Sequence, residues 1–405
     1  MAVAMGKYRR VLTLPGVATL LGLMFAARIP VTATNMVLTL HVVLTLHRSY
    51  GSAGLVGAVG TVGIAVGAPL VGRAVDGFGL RKIVVFTTLG YGTYWLTAWL
   101  LPYGWLLVMS FVGGVVALPV MSVGRQALAA LVPAEHRRTA FSLDSISVEM
   151  SFMVGPALGV LIATKVSTPA AVLSVGAMIV AAGIAVYLVN PPVRGEHDEP
   201  ETDEVRPPRR QWLRAPLLAA LTVAAGAVFV LAGTEVAMVA ALRQDGQVSW
   251  TGVVTIAMCV ASAVGGAVYG GLRRAPGTLV LMSLLGLLVV PVGLAGGQWW
   301  LLCLALVPSS VMCAPTLTST ADRISQLAPA SVRGEAMGLL SSAFTLGAAL
   351  GFPVVGVVVD HLGPGGGFAA AGVGGILVAL VAIPLARRSF VVEPVADPVP
   401  VASHR

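Results

Sequence analysis

Residues 142–159 read SLDSISVEMSFMVGPALG, following the basic cluster His136-Arg137-Arg138 and leading into a long apolar run. The stretch therefore reads as the first half of a membrane-crossing helix. Glu149 stands eleven positions beyond Arg138. At 1.5 Å per residue that is ~16 Å, close to the middle of a ~30 Å hydrocarbon core. A carboxylate at that depth costs several kcal/mol unless it is paired, hydrated or protonated, so Glu149 is a functional candidate from the outset. Helical spacing sorts the stretch into faces. Ser142, Ser145, Glu149, Phe152 and Pro156 form a mostly polar stripe suited to an aqueous cavity. Ser151, Gly155 and Gly159 form a stripe of small side chains that lets a neighbouring helix approach closely. Pro156 removes one backbone donor and is expected to bend the helix.

The composition extends this reading to the whole chain. Of 405 residues, 57% are hydrophobic and only 10% charged, against roughly 25% charged in soluble domains, and the mean hydropathy is +0.91. This is the composition of a polytopic all-α membrane protein. The 48 glycines and 25 prolines fall largely inside apolar runs, as expected for close helix contacts and supported kinks. Cys259, Cys303 and Cys313 lie in apolar spans at spacings unlike a metal site and imply no disulfide framework. Lys7, Arg9 and Arg10 precede an apolar run too long for a signal peptide and without an A-x-A site, so an uncleaved first helix is expected.

Twelve spans are predicted. Six lie near residues 11–46 (broken at Ile29-Pro30), 53–75, 83–101, 105–131, 139–163 and 170–189, and six more near 216–242, 252–272, 278–294, 299–324, 335–359 and 368–385. Residues 191–214 are charged and Pro-rich, read as a flexible linker between the halves 1–190 and 215–388, and residues 389–405 form a Pro-rich tail expected to be disordered. An even number of spans puts both termini on one side. That side collects nearly all the Lys and Arg, and the opposite loops hold only Arg48, Lys165 and Arg243. This segregation explains the net charge of +8 without any nucleic-acid partner, and it predicts cytoplasmic termini.

The halves also repeat. Numbering shifted by 196 aligns Leu131 with Leu327, Pro133 with Pro329, Arg137 with Arg333, Ser145 with Ser341 and Gly155 with Gly351, and shifted by 198 it aligns Gly67 with Gly265 and Gly72 with Gly270. Two six-helix bundles in the same orientation imply a pseudo-twofold axis along the membrane normal, with a site between them.

The connector Gly72-Arg73-Ala74-Val75-Asp76-Gly77-Phe78-Gly79-Leu80-Arg81-Lys82 resembles the G-x-x-x-D-R-x-G-R-R/K signature of the major facilitator superfamily. Gly72, Asp76, Gly79, Arg81 and Lys82 match, while Gly77 and Leu80 replace basic residues. Gly155-Pro156-x-x-Gly159 is similar to the core of the antiporter motif of drug:proton exchangers. Ser151 stands where that motif prefers glycine, and Val160 replaces its final glycine. The resemblance implies the twelve-helix fold of that superfamily and a substrate site among spans one, four, seven and ten. It also implies that Asp76 helps latch the two halves in an outward-open state, with Arg125 as the candidate partner inside its own half. The second-half counterpart, Gly270-Gly271-Leu272-Arg273-Arg274, has no acid, so any latch is asymmetric.

Few ionisable residues lie away from span ends. Glu149 is the leading proton-site candidate, weighed against a purely structural hydrogen-bonded Glu. Arg28 can pair with Glu149, bind an anionic substrate or sit in a permanent ion pair. Glu235 is read as a second proton site, a cationic-substrate contact or a gate-closing carboxylate. Arg28 and Asp144 complete the set of proton-coupling candidates, although Asp144, about two turns from the basic end, is read first as a cap or loop contact. There is no P-loop, no H-E-x-x-H and no Cys/His ligand cluster. No enzyme activity, cofactor or metal is expected.

The expectation is thus a monomeric secondary transporter of the cytoplasmic (inner) membrane, working by alternating access as a proton-coupled exporter of small amphipathic compounds. A metabolite or sugar permease, running as symporter or uniporter, and a non-transporting membrane sensor on the same fold are the alternatives.

Overall fold

The computed structural model describes residues 2–48, 50–193, 207–272 and 274–387. With no water inside a bilayer to satisfy backbone N–H and C=O groups, long apolar runs must close their hydrogen bonds internally, and helices result. Among the described residues, nine helical stretches are long and apolar enough to cross a membrane. The last of them, Ala330–Ala386, is two rods separated at Gly363, whose φ of 72° and ψ of −179° break the helix. Leu80–Thr97 and the shorter Thr278–Leu294 complete the twelve expected spans.

The boundaries differ from expectation in places with clear causes. The first span does not begin at Val11 and does not break at Pro30. A separate amino-terminal helix, Ala2–Leu12, precedes it, and Gly16 turns the chain with a φ of 78°. Val17–Leu40 then runs through Pro30 as one helix and widens into a π-helical turn at His41–Thr45. The fourth span is the one interrupted. Tyr103–Val115 and Val120–Leu131 are joined by a short irregular segment ending in Pro119, and the residue before a proline is steered away from helical ψ. The fifth span is longer than expected, Ala134–Lys165, and Pro156 lies within it without ending it. Most of the linker and the whole tail at 389–405 lie outside the described residues. Residues 207–214 are folded, however: Arg209–Trp212 forms a helical turn, Trp212 is buried, and Arg209 pairs with Glu335 at 2.6 Å.

The sequence repeat is a repeat of contacts. A Cβ added at Gly67 would lie 2.7 Å from the Val115 carbonyl carbon, and one at Gly265 would lie 2.7 Å from that of Val311. Spans two and four thus meet as spans eight and ten do. The small-residue stripe on the fifth span seats the first span: a Cβ at Gly155 would lie 2.5 Å from the Ile29 carbonyl oxygen. In the second half, one at Gly351 would lie 2.6 Å from the Phe229 carbonyl oxygen of span seven. Small side chains allow this backbone-to-backbone approach, where dispersion replaces the hydrophobic effect that lipid does not supply. A valine at Gly67 is expected to overfill its seam by about 1–3 kcal/mol. The expected readout is a lowered melting midpoint and aggregation in size-exclusion chromatography. Gly104→Ala, with open space around it, should match wild type.

Candidate functional site

The two halves meet at the end of the bundle that carries the basic loops. In one seam, span two crosses the start of the eleventh span, residues 333–362. Gly72 faces Gly334, and Gly338 faces Ala68 and Pro69. The Asp76 carboxylate accepts the backbone N–H of Gly334 at 3.0 Å and of Glu335 at 2.8 Å, as well as Gln126 Nε2 at 3.0 Å. Asp76 therefore caps a helix of the opposite half, satisfying two donors that a helix start leaves orphaned and placing negative charge at the positive dipole end. Arg125 is not its partner. That guanidinium turns to Asp144 at 3.5 Å and lies 4.9 Å from the Phe344 ring centroid. The rest of the loop signature divides by role. Gly79 takes a φ of 85° at the turn, as a glycine readily does. Arg81 and Lys82 are exposed, Arg81 lying over the Tyr187 ring.

In the other seam, span five crosses the end of span eight. Thr139 Oγ1 donates to the Gly270 carbonyl at 2.8 Å, Ser142 Oγ to the Gly266 carbonyl, and Ser145 Oγ meets Thr318 Oγ1 at 2.9 Å. The amino-terminal helix lies across this seam. Tyr8 Oη donates to the Ala267 carbonyl and lies 3.3 Å from Ser142 Oγ, and Lys7 Nζ donates to the Gly271 carbonyl at 3.0 Å.

Arg28, Asp144 and Glu149 are arranged differently from the sequence expectation. Arg28 is fully buried and its Nη2 lies 2.6 Å from Asp144 Oδ1, not on Glu149. The contact is close in distance but lacks hydrogen-bond angles, so its attraction is chiefly that of opposite charges. Asp144 is accordingly neither cap nor loop contact: it is the buried anion between Arg28 and Arg125, 1% exposed. Sequence distance from the basic end hid this role, because two arginines on other spans had to be placed first. Gly124 makes room for the guanidinium, a Cβ there falling 3.0 Å from Arg28 Nη2.

Glu149 instead reaches across to the second half, where Ser262 Oγ of span eight donates to its Oε1 at 2.8 Å. Among the described residues it has no cationic partner. Gly155 and Gly159, also assigned to the antiporter-like motif, face Ile29–Ala33 and Val37 of the first span, while Pro156 is partly exposed on the neighbouring face. Glu235 of span seven is exposed to a cavity of about 770 Å³ at the opposite end of the bundle, between spans seven and eleven.

These observations define a class before any comparison: a membrane-embedded chain of two repeated helical halves, joined by hydrogen-bonded seams at one end, with a cavity between spans seven and eleven at the other. The sequence profile described as Major Facilitator Superfamily matches residues 20–295 and 224–403, and the chain belongs to that family of membrane transporters. Solved structures share the fold. The human organic anion transporter MFSD10 (TETRAN) is 17% identical with a TM-score of 0.72, the match covering 93% of this chain and 99% of that one. A bacterial homologue of the iron transporter ferroportin in an outward-facing state is 14% identical, also with a TM-score of 0.72, covering 93% and 99%. The proton:xylose symporter XylE is 15% identical with a TM-score of 0.67, covering 91% and 94%. Identities this low speak for the fold alone. No curated protein sequence gives a significant match.

Two outcomes are expected from the seam and the buried cluster. Asp76→Asn removes the charge from the cap, which is worth about 1–2 kcal/mol, or roughly 5–30-fold in a two-state population. Spin labels at the exposed positions Lys82 and Arg323 should then show a longer distance component in pulsed dipolar spectra. Asp144→Leu strands two buried guanidinium groups at a cost of about 3–5 kcal/mol. The melting midpoint should fall sharply, and Arg28→Met added to it should recover part of the loss.

Proposed function

We propose that this transporter is a proton-coupled exporter of small amphipathic compounds, and that Glu149 carries the coupling proton. The observation behind this reading is the placement of Glu149: a mid-span carboxylate at the junction of the halves, held by the Ser262 hydroxyl and, among the described residues, without a cation beside it. An uncompensated charge in a bilayer interior is costly. Its ionised form therefore favours the arrangement that supplies the Ser262 donor or water, whereas its neutral form can cross into a drier one. Asp144, already facing two guanidinium groups, belongs to a standing ion cluster inside one half and is less suited to that cycle.

In this reading the basic end is cytoplasmic, the membrane is the inner membrane, and one chain suffices. The described state is outward-facing: the Asp76 cap and the hydroxyl seam shut the inner end, and the cavity at Glu235 opens outward. Substrate leaves through that cavity, a proton enters to Glu149, and the halves rock to expose the inner side. The two backbone-close seams part as they do so, while the Gly155 and Gly351 seams inside each half stay closed.

The test is substrate-driven collapse of a pH gradient in energised inverted vesicles, screened with lipophilic cations, weak acids, sugars and antibiotics. At matched protein levels, wild type should respond to at least one compound and Glu149→Gln should lose at least ten-fold of that response. Equal responses would remove Glu149 from coupling. Substrate flux without proton movement would remove antiport itself.

A further inference from the structure

The cavity of about 770 Å³ is within the size range of small-molecule sites. Its walls are unequal. Val236, Val239 and Phe352 make an apolar surface, and Gly356 leaves further space, with no neighbour near enough to meet an added Cβ. The ionisable groups are Glu235, Arg243 and Asp360. Arg243 and Asp360 lie at the mouth, near the ends of their helices. Glu235 stands nine positions before Gln244, the last residue of its helix, which places it ~13 Å further in. Among the described residues, the Glu235 carboxylate has neither a hydrogen bond nor an ion pair. A lipid-facing carboxylate at that depth is costly, and this one lines the cavity instead.

The inner wall thus offers one free negative charge set in apolar surroundings.

We propose that this cavity binds an organic cation, a protonated or quaternary amine or phosphonium carried on an apolar body, with Glu235 as its counter-charge. The inference rests on the export reading above and narrows its substrate class. An organic anion would meet Glu235 head-on. A metal cation needs several oxygen ligands at once, which one carboxylate among valines and Phe352 does not supply. A sugar needs a dense set of donors and acceptors, and the deeper part of this wall offers only the one carboxylate. A bulky cation matches both features, since its apolar body covers Val236, Val239 and Phe352 while its diffuse charge faces the Glu235 carboxylate. Arg243 at the mouth then adds no contact to the bound cation and sets a barrier to its return.

The experiment compares two probes of the same shape and opposite charge, tetraphenylphosphonium and tetraphenylborate, binding to purified full-length protein in detergent. Wild type should bind the phosphonium at least ten-fold more tightly than the borate. Glu235→Gln should weaken the phosphonium at least ten-fold and bring the two probes together. Val239→Trp, which fills the apolar wall and leaves the carboxylate in place, should weaken the phosphonium as well. Each variant is first required to run as a monodisperse peak. A Glu235→Gln protein that holds the phosphonium as tightly as wild type overturns the proposal, and so does a preference for the borate. Proton release on binding, read from a pH dye in the same samples, separates this proposal from the one it rests on. Phosphonium binding that depends on Glu235 without proton release sinks the antiport and spares the cation site. Weak acids that drive proton exchange while the phosphonium does not bind sink the cation site and spare the antiport.

Discussion

One carboxylate, Asp76, accepts two backbone N–H groups at the start of a helix that belongs to the other half. Most of the closed end is arranged to make that contact possible. The acceptor can reach the helix only because Gly72 and Gly334 face each other without side chains, and a Cβ at Gly334 would lie 2.9 Å from the Asp76 Cγ. The interaction joins a charge to helix-end donors, so it is strong in place and is lost as a unit once the helices part.

The second seam solves the same problem with opposite chemistry. Span eight presents its carboxyl-terminal end there, where carbonyls rather than N–H groups are left over. Hydroxyls from Thr139, Ser142 and Tyr8 and the ammonium of Lys7 supply the donors. An anion faces a helix start in one seam and a cation faces a helix end in the other, which is the pairing the helix dipole favours. The amino-terminal helix takes part here, and the Asp76-equivalent position holds Arg274 rather than an acid. The repeat in the fold therefore does not require a repeat in the chemistry of closure.

Charges inside the membrane are divided in a way that fits a rocking mechanism. Arg28, Arg125 and Asp144 all belong to the first half and can keep their contacts with one another as the halves move, although Arg125 also lies over Phe344 of the second half. Glu149 is bonded across the divide to Ser262, so any rocking of the halves changes its surroundings. Breaking an ion cluster in a low-dielectric interior at every cycle would be expensive. Exchanging one hydroxyl for water or a proton is a smaller step.

Much of the fold was legible in the order of residues. Hydrophobic runs, the segregation of Lys and Arg and the matched Pro, Arg and Gly positions determined twelve spans in two halves, because in lipid each helix satisfies its own backbone and its length follows from local composition. The stripe at Ser151, Gly155 and Gly159 likewise announced a close contact, since a missing side chain is visible in one dimension. What the tertiary structure decided is who meets whom. Asp144 and not Glu149 took Arg28, Gln126 and two backbone amides rather than Arg125 took Asp76, and Glu149 found Ser262 more than a hundred residues away. A partner's identity depends on the rotation of each helix about its axis and on its depth relative to its neighbours. Both are set by side chains on several spans at once, so no single stretch could reveal them.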